Sequence, residues 1–254
     1  MKNSFLTVSS LLLTSLAVQA GTLSDTFEAG EDTSNWGASW SGGTTTNTFL
    51  NSSFGGLLAG TGSSAGQSFS RSFKNNTVGI NLSQPYYISM YVQLNTFDAP
   101  SGGQFEIIDG AYGSGNAVDI KVALVGSQLV WQARDNNNGF QNIGLDFNLS
   151  TPYQVSFAVD PASFTYSVTI NEVTGTGGVL DSASANGLSF DHNVINNGQN
   201  GTLLYYIQGS AGTINAMADN ITISTTPTPE PSTIALLAVG AFGMLRLKSR
   251  VKAI

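Results

Sequence analysis

Few side chains in this 254-residue chain have the types and spacing that catalysis or metal binding requires. There is no cysteine, which excludes thiol nucleophiles, Cys₄ zinc sites and disulfide bonds. His192 is the only histidine, and it lies in the turn-rich stretch FDHNVINNGQNG without a recognisable nucleophile motif. We therefore expect a histidine in a surface loop and no Ser-His-Asp triad.

Paired carboxylates are the next chemistry to consider, because glycan hydrolysis needs two of them roughly 5 to 9 Å apart in one cleft. The nearest approach is the segment EIID at residues 106–109. Strand alternation puts its two acids on opposite faces, and no third acid accompanies them. We therefore predict that the protein is not an enzyme. The alternative is a glycan-active enzyme, either a hydrolase or a lyase.

Two acidic positions could bind a hard cation such as Ca²⁺, which prefers oxygen ligands. The stretch DNNNG at residues 135–139 is rich in oxygen, but it lacks the EF-hand spacing and the terminal glutamate. A hairpin turn ending on Asn-Gly explains this stretch without an ion. Asp219 shares strand parity with Ile221 and Ile223, so its carboxylate is predicted to face inward and to need a partner.

The elements that must position these residues are β-strands. Apolar and polar residues alternate strictly in YISMYVQL, AVDIKVAL, YQVSFAVD and FTYSVTI, and glycine- and asparagine-rich turns separate such segments. Helical periodicity is absent outside the two ends of the chain. About ten to thirteen short strands of this kind predict an all-β, antiparallel two-sheet sandwich of jelly-roll size over residues 21–225.

The N-terminal residues 1–20 read as a secretory signal peptide. Lys2 precedes an apolar stretch from Phe5 to Val18, and Val-Gln-Ala ends it, which predicts cleavage after Ala20. No cysteine follows, so a lipoprotein anchor is excluded. We therefore expect residues 21–225 to be exported.

The C-terminal segment, residues 226–254, contains Pro229, Glu230 and Pro231 followed by an apolar run from Ile234 to Leu245. Residues 231–247 would form a single apolar helix near the lower length limit of about 17 residues for a membrane span. Four bases follow the run: Arg246, Lys248, Arg250 and Lys252. By the positive-inside rule they predict a membrane-inserted segment with a cytoplasmic stop.

Removing both ends changes the charge of the chain. The whole chain has 9 bases and 16 acids, and the ends carry five of those bases and one of those acids. Residues 21–225 therefore carry 4 bases and 15 acids, a net charge of −11. Such a body repels phosphate backbones, so nucleic acid is excluded as a partner.

The C-terminal segment resembles the PEP-CTERM sorting signal through its Pro-Glu-Pro, the Ser232-Thr233 pair, the short apolar span and the terminal bases. This resemblance implies processing by an exosortase, a membrane enzyme of Gram-negative bacteria that make exopolysaccharide. It also implies a transient anchor in the inner membrane, followed by location at the cell surface or in the extracellular matrix.

The body resembles concanavalin A-like (laminin G-like) sandwiches through the stretches DTFE, ISMYVQL, YQVSFAVDPASFTYSVTI and ADNITIS. The lectin-like resemblance implies sugar binding, with Trp36, Trp40 and Tyr112 as candidate stacking residues. Trp36 and Trp40 lie in SNWGASWSGG, a loop-like stretch where we do not expect core residues. The resemblance also implies a structural Ca²⁺ held by Glu28 and Asp219.

The chain is thus predicted to be an exported, exosortase-sorted, non-catalytic protein of the cell surface or matrix. Its expected partners are the secretion machinery, the exosortase, the membrane through the tail and extracellular polysaccharide. An inert structural component of a biofilm is a second alternative to polysaccharide binding.

Overall fold

The computed structural model describes residues 21–27, 33–39, 41, 44–46, 57–62, 67–97, 103–111, 115–191, 200–208 and 214–226. These residues form fourteen strands and one short 3-10 turn, Ser34–Trp36. The strands are β1 (Thr22–Asp25), β2 (Thr44–Thr46), β3 (Leu57–Gly62), β4 (Gln67–Ser72), β5 (Tyr86–Phe97), β6 (Gln104–Ala111), β7 (Gly115–Val125), β8 (Gln128–Asp135), β9 (Gly139–Asp146), β10 (Tyr153–Asp160), β11 (Thr165–Val173), β12 (Val179–Ser189), β13 (Thr202–Gln208) and β14 (Ile214–Ser224).

Two antiparallel sheets account for these strands, as predicted. The eight-stranded sheet has the order β12-β11-β10-β5-β14-β3-β2, and β1 also pairs with β14. The six-stranded sheet has the order β4-β13-β6-β7-β8-β9. The pairing of β1 with β14, with Thr22 opposite Ser224, brings the first and last strands of the body together.

The core lies between the two sheets and is built by strand alternation. Val155 on β10 is fully buried and pairs with Met90 on β5 and Ile170 on β11. Trp131 on β8 is also fully buried and meets the rings of Phe147 and Tyr153 edge-on. This pattern confirms the predicted sandwich, because each strand contributes every second residue to one apolar layer.

The alternation fails at the outer end of β7. Val118, Ile120 and Val122 are buried as predicted, but Leu124 is 37 % exposed. The strand continues past the edge of the core before it turns back at Gly126, so parity alone does not bury its last residues.

Within the described ranges, no helix has both the length and the apolar composition to cross a membrane. The predicted signal peptide and the predicted apolar helix of the tail both lie outside those ranges.

Candidate functional site

Trp36 does not lie at the surface where we expected it. Its side chain is 1 % exposed, its indole N–H donates to the Ser24 carbonyl oxygen at 2.9 Å, and the Arg71 guanidinium lies 4.5 Å from the ring centroid. The 3-10 turn that ends at Gly37, with φ of 75°, turns the indole inward. The expectation of a ring outside the core is therefore wrong for Trp36. Trp40 and Tyr112 lie outside the described residues, as does His192.

Asp219 is fully buried, but the β5–β14 register shifts between Asp219 and Thr222, so Asp219 does not share the strand parity of Ile221 and Ile223 that the sequence predicted. One carboxylate oxygen accepts from the Asn220 backbone N–H at 2.6 Å and the other from the Asn220 side-chain amide at 3.1 Å. The nearby Asp25 carboxylate is paired with Arg71. These described contacts already use both oxygens of Asp219, so they give no positive indication of an ion. Glu28 lies outside the described residues, and a Ca²⁺ site with Asp219 stays a prediction.

The DNNNG stretch forms the predicted hairpin turn. The Asp135 carboxylate accepts hydrogen bonds from the Asn137 backbone N–H at 3.2 Å and from the Asn138 side-chain amide at 2.6 Å. It also accepts from the Ser189 backbone N–H at 3.3 Å. Gly139 has φ of 71°, which a glycine adopts without strain. Protein donors therefore satisfy this aspartate.

Glu106 and Asp109 point to opposite faces of β6, as predicted. The Asp109 carboxylate is fully buried on the core side, where it accepts from the Tyr86 hydroxyl and from the backbone N–H groups of Gly201, at 2.7 Å, and Thr202, at 3.1 Å. Burial raises the pKa of Asp109 to about 6, although these hydrogen bonds oppose the rise. Glu106 points to the outer face, which is the face of the six-stranded sheet turned away from the core.

This outer face carries a concentration of charge that was not predicted from the sequence. Five side chains form what we call the charged cluster: Glu106, Asp119, Lys121, Arg134 and Asp191. All three of its acids are buried, with 4 %, 4 % and 6 % of their surface exposed for Glu106, Asp119 and Asp191. Burial of this kind is unusual for charged residues on the outer face of a sheet, where solvent is normally available.

The strand register fixes the arrangement of the cluster. Glu106 lies opposite Lys121, and Asp119 lies opposite Ile108, so the two acids are diagonal neighbours on β6 and β7. Diagonal neighbours lie about 7–8 Å apart across a sheet. The sequence could not reveal this pair, because the two acids come from different strands.

Arg134 on β8 joins the other two acids. Its guanidinium nitrogens lie 3.6 Å from one oxygen of Asp119 and 3.1 Å from one oxygen of Asp191. The Asn116 side-chain amide donates to that same oxygen of Asp119 at 3.2 Å. A strand-like bridge of two backbone hydrogen bonds, each 2.9 Å, connects Asn116 with Asp191 and brings Asp191 beside β7.

An aromatic ring borders the cluster on the open side of the sheet. The Lys121 ammonium lies 3.7 Å from the centroid of the Phe140 ring, and the Arg134 guanidinium lies 5.6 Å from it. Beside them, the Gln132 side-chain amide donates to the Asn142 side-chain oxygen at 2.9 Å in an exposed pair. The outer face of β7, β8 and β9 thus presents a partly exposed ring, two bases and two amides.

Two acids of the cluster hold protons more tightly than free carboxyls do. Burial raises the pKa of Glu106 to about 8, the negative charge of Asp119 adds to the rise, and Lys121 and Arg134 oppose it. Burial likewise raises the pKa of Asp119 to about 7, against the hydrogen bond from Asn116 and the charge of Arg134. The two bases therefore do not fully offset the effect of burial on the Glu106 and Asp119 carboxyls.

Comparison with known sequences identifies only the tail. The PEP-CTERM protein-sorting motif matches residues 227–250, which confirms the predicted sorting signal. This motif points to an exported protein that is transiently anchored in the membrane and sorted to the cell surface. No curated protein matches the chain.

Comparison with solved structures identifies the fold of the body. The binding domain of botulinum neurotoxin DC in complex with rat synaptotagmin II shares 16 % identity with this chain at a TM-score of 0.50, covering 85 % of this chain and 51 % of that one. A structure from a study of the ganglioside-dependent cell entry of botulinum neurotoxin type C gives 16 % identity, a TM-score of 0.50 and coverages of 85 % and 50 %. The chain spans about half the length of these structures, and the likeness concerns the sandwich fold alone.

Proposed function

We propose that this protein is a non-catalytic component of the cell surface or extracellular matrix of a Gram-negative bacterium, exported by the secretion machinery and processed by an exosortase. The sorting motif at residues 227–250 carries this proposal. The motif begins directly after Thr226, the last described residue of the body. The tail is then an address and a temporary anchor in the inner membrane, with Arg246, Lys248, Arg250 and Lys252 as its cytoplasmic stop.

Expression in an exosortase-positive strain and in a matched exosortase deletion strain tests the sorting proposal. We expect the body in the medium or matrix of the first strain and retained in the membrane fraction of the second. Equal release from both strains would contradict it.

The body is proposed to bind extracellular polysaccharide through the outer face of β7, β8 and β9. Phe140 supplies a partly exposed ring that a sugar can contact on the side not covered by Lys121, and the Gln132 and Asn142 amides supply hydrogen-bonding groups for hydroxyls. Lys121 and Arg134 add charged donors next to the ring. Because the solved structures above share only 16 % identity with the chain, the proposal depends on this face and not on what those proteins bind.

Affinity electrophoresis of the full-length protein in gels containing exopolysaccharide from the producing strain tests the binding face. We expect the polysaccharide to retard the wild type, and Phe140→Ala to abolish most of that retardation. Phe164→Ala is the matched control, because Phe164 is a 40 % exposed phenylalanine in the turn between β10 and β11. Equal retardation of both variants would refute the binding face, and an unretarded wild type would favour an inert structural role.

One observation favours the alternative of a glycan-active enzyme. Glu106 and Asp119 occupy one face of the sheet as diagonal neighbours, with a backbone spacing of about 7–8 Å from which their carboxyl groups could reach the separation of about 6.5–9.5 Å found in inverting glycosidases. The raised pKa of Glu106, about 8, suits a general acid at neutral pH. Incubation of the wild type and of Glu106→Gln with the same polysaccharide decides between the two functions: new reducing ends or unsaturated products made only by the wild type would establish the enzyme.

A further inference from the structure

Two buried oxygen atoms in the charged region of the outer face receive no hydrogen bond from the described residues. They are the side-chain oxygen of Asn116 and the Oδ1 oxygen of Asp119, in side chains that are 2 % and 4 % exposed. A buried acceptor without a donor costs about 1–3 kcal/mol, and more when it is charged. Native structures contain few such atoms, and a bound ion or water is a common reason for them.

The two oxygens belong to neighbouring side chains, since the Asn116 amide nitrogen donates to the Oδ2 oxygen of Asp119 at 3.2 Å. Arg134 approaches the same Oδ2 oxygen and the Oδ2 oxygen of Asp191. The guanidinium thus contacts one oxygen of each carboxylate, and Oδ1 of Asp119 remains for another ligand. The backbone bridge to Asn116 holds Asp191 at this place.

The backbone of Gly110 packs closely against the Asn116 side-chain oxygen. A side chain at this position would put its Cβ 2.7 Å from the Gly115 carbonyl oxygen and 2.8 Å from the Asn116 side-chain oxygen. Gly110 has φ of 150° and lies at the bulge where the β6–β7 register shifts. The absence of a side chain at Gly110 therefore lets the Gly115 carbonyl oxygen and the Asn116 amide oxygen lie close to the β6 backbone.

We propose that Asn116 and Asp119, together with Asp191, bind a hard divalent cation such as Ca²⁺. Amide, carbonyl and carboxylate oxygens are the ligands that Ca²⁺ takes, and water completes its shell of six to eight. The negative charges of the Asp119 and Asp191 carboxylates would attract the cation. No group of three or more His, Cys, Asp or Glu side chains in the described ranges could hold a metal, and the proposed site instead uses two carboxylates and an amide.

At this position the cation would connect the two sheets of the sandwich. Asn116 and Asp119 lie on β7 of the six-stranded sheet, whereas Asp191 follows β12 of the eight-stranded sheet. A cation shared by these residues would fasten the end of β12 to the outer face of the other sheet. This site is distinct from the Ca²⁺ site predicted at Asp219, and it adjoins the proposed polysaccharide face through Arg134.

Thermal unfolding and calorimetric titration of chelator-treated full-length protein in detergent test the proposal. We expect CaCl₂ to raise the melting temperature of the wild type by several degrees, whereas NaCl at equal ionic strength does not. Asn116→Leu, which lacks the amide oxygen, and Asp119→Asn, which lacks one charge, should each weaken Ca²⁺ binding at least tenfold. Asn116→Asp keeps an oxygen ligand and should retain binding, which separates loss of a ligand from loss of the fold.

Asp219→Asn is the control that distinguishes the two cation sites. It should bind Ca²⁺ at the new site with wild-type affinity. The proposal would be overturned if Ca²⁺ did not bind or stabilise the wild type, or if Asn116→Leu and Asp119→Asn bound it as tightly as the wild type does.

Discussion

The substitution Glu106→Gln should make the stability of this protein less sensitive to alkaline pH. Glu106 is 4 % exposed, and its pKa is raised from 4.5 to about 8, mainly by burial. The folded state therefore holds this proton more tightly than the unfolded state does. The contribution of the Glu106 proton to the free energy of unfolding is fully present below about pH 4.5 and is lost as the pH rises through about 8.

The size of the effect follows from the two pKa values. Each pKa unit corresponds to about 1.4 kcal/mol, so the rise from 4.5 to about 8 corresponds to at most about 5 kcal/mol between the acidic and alkaline limits. This is a large share of the roughly 5–15 kcal/mol that stabilises a domain. Glutamine has a similar shape but does not ionise, so the variant should escape this loss.

Urea denaturation of the full-length protein in detergent, with chelator present, at pH 4.5, 7 and 9 measures the difference. We expect the wild type and Glu106→Gln to unfold at similar urea concentrations at pH 4.5. At pH 9 the variant should be more stable by several kcal/mol. Glu172→Gln, on the partly exposed face of β11, is the matched control and should follow the wild type. Parallel pH curves for wild type and Glu106→Gln would refute the reasoning.

Three other outcomes are expected. Val155→Asp should abolish cooperative melting, whereas Ser156→Asp should be tolerated, because Val155 is fully buried and an unpaired buried carboxylate costs several kcal/mol. Equal melting temperatures for the two variants would contradict the strand assignment. Removal of residues 229–254 should leave the body folded and release it into the medium, which melting and cell fractionation would show; loss of the melting transition would place the tail in the core. If a cation of the exosortase binds the Glu230 carboxylate, Glu230→Gln should block processing without preventing membrane insertion. The mass of the C-terminal fragment measures processing. Unchanged processing in the variant would mean that the enzyme recognises the prolines and the bases instead.

The sandwich could be predicted because the alternation of apolar and polar residues is visible within the sequence of each strand. In β10, each inward residue is two positions from the next, and the sequence YQVSFAVD shows this period directly. Strand order is not local: β5 lies between β10 and β14, and β1 joins β14 from the other end of the body. These pairings depend on contacts between distant segments, which alternation within one strand does not specify.

The site could not be predicted for the same reason. Trp36 reads as a loop residue, but Arg71, which lies far along the chain, covers its ring. Glu106 and Asp119 have the polar parity of ordinary solvent-facing residues. Their burial, which makes them unusual, depends on contacts formed only in the folded chain, among them the bridge between Asn116 and Asp191. A polar residue on an outer face gives no sequence signal of its burial.

The sorting motif of the tail could be predicted from the sequence, because it is a continuous segment that does not depend on contacts between distant strands. The last strand, β14, ends at Ser224, opposite Thr22, and the Thr225 backbone N–H donates to the Gly21 carbonyl oxygen at 3.2 Å. The described members of the apolar core all lie between Leu23 and Ile223. The body is therefore closed by its own strands before the motif begins at residue 227. An enzyme that cuts beyond this point would remove no strand of the described sandwich.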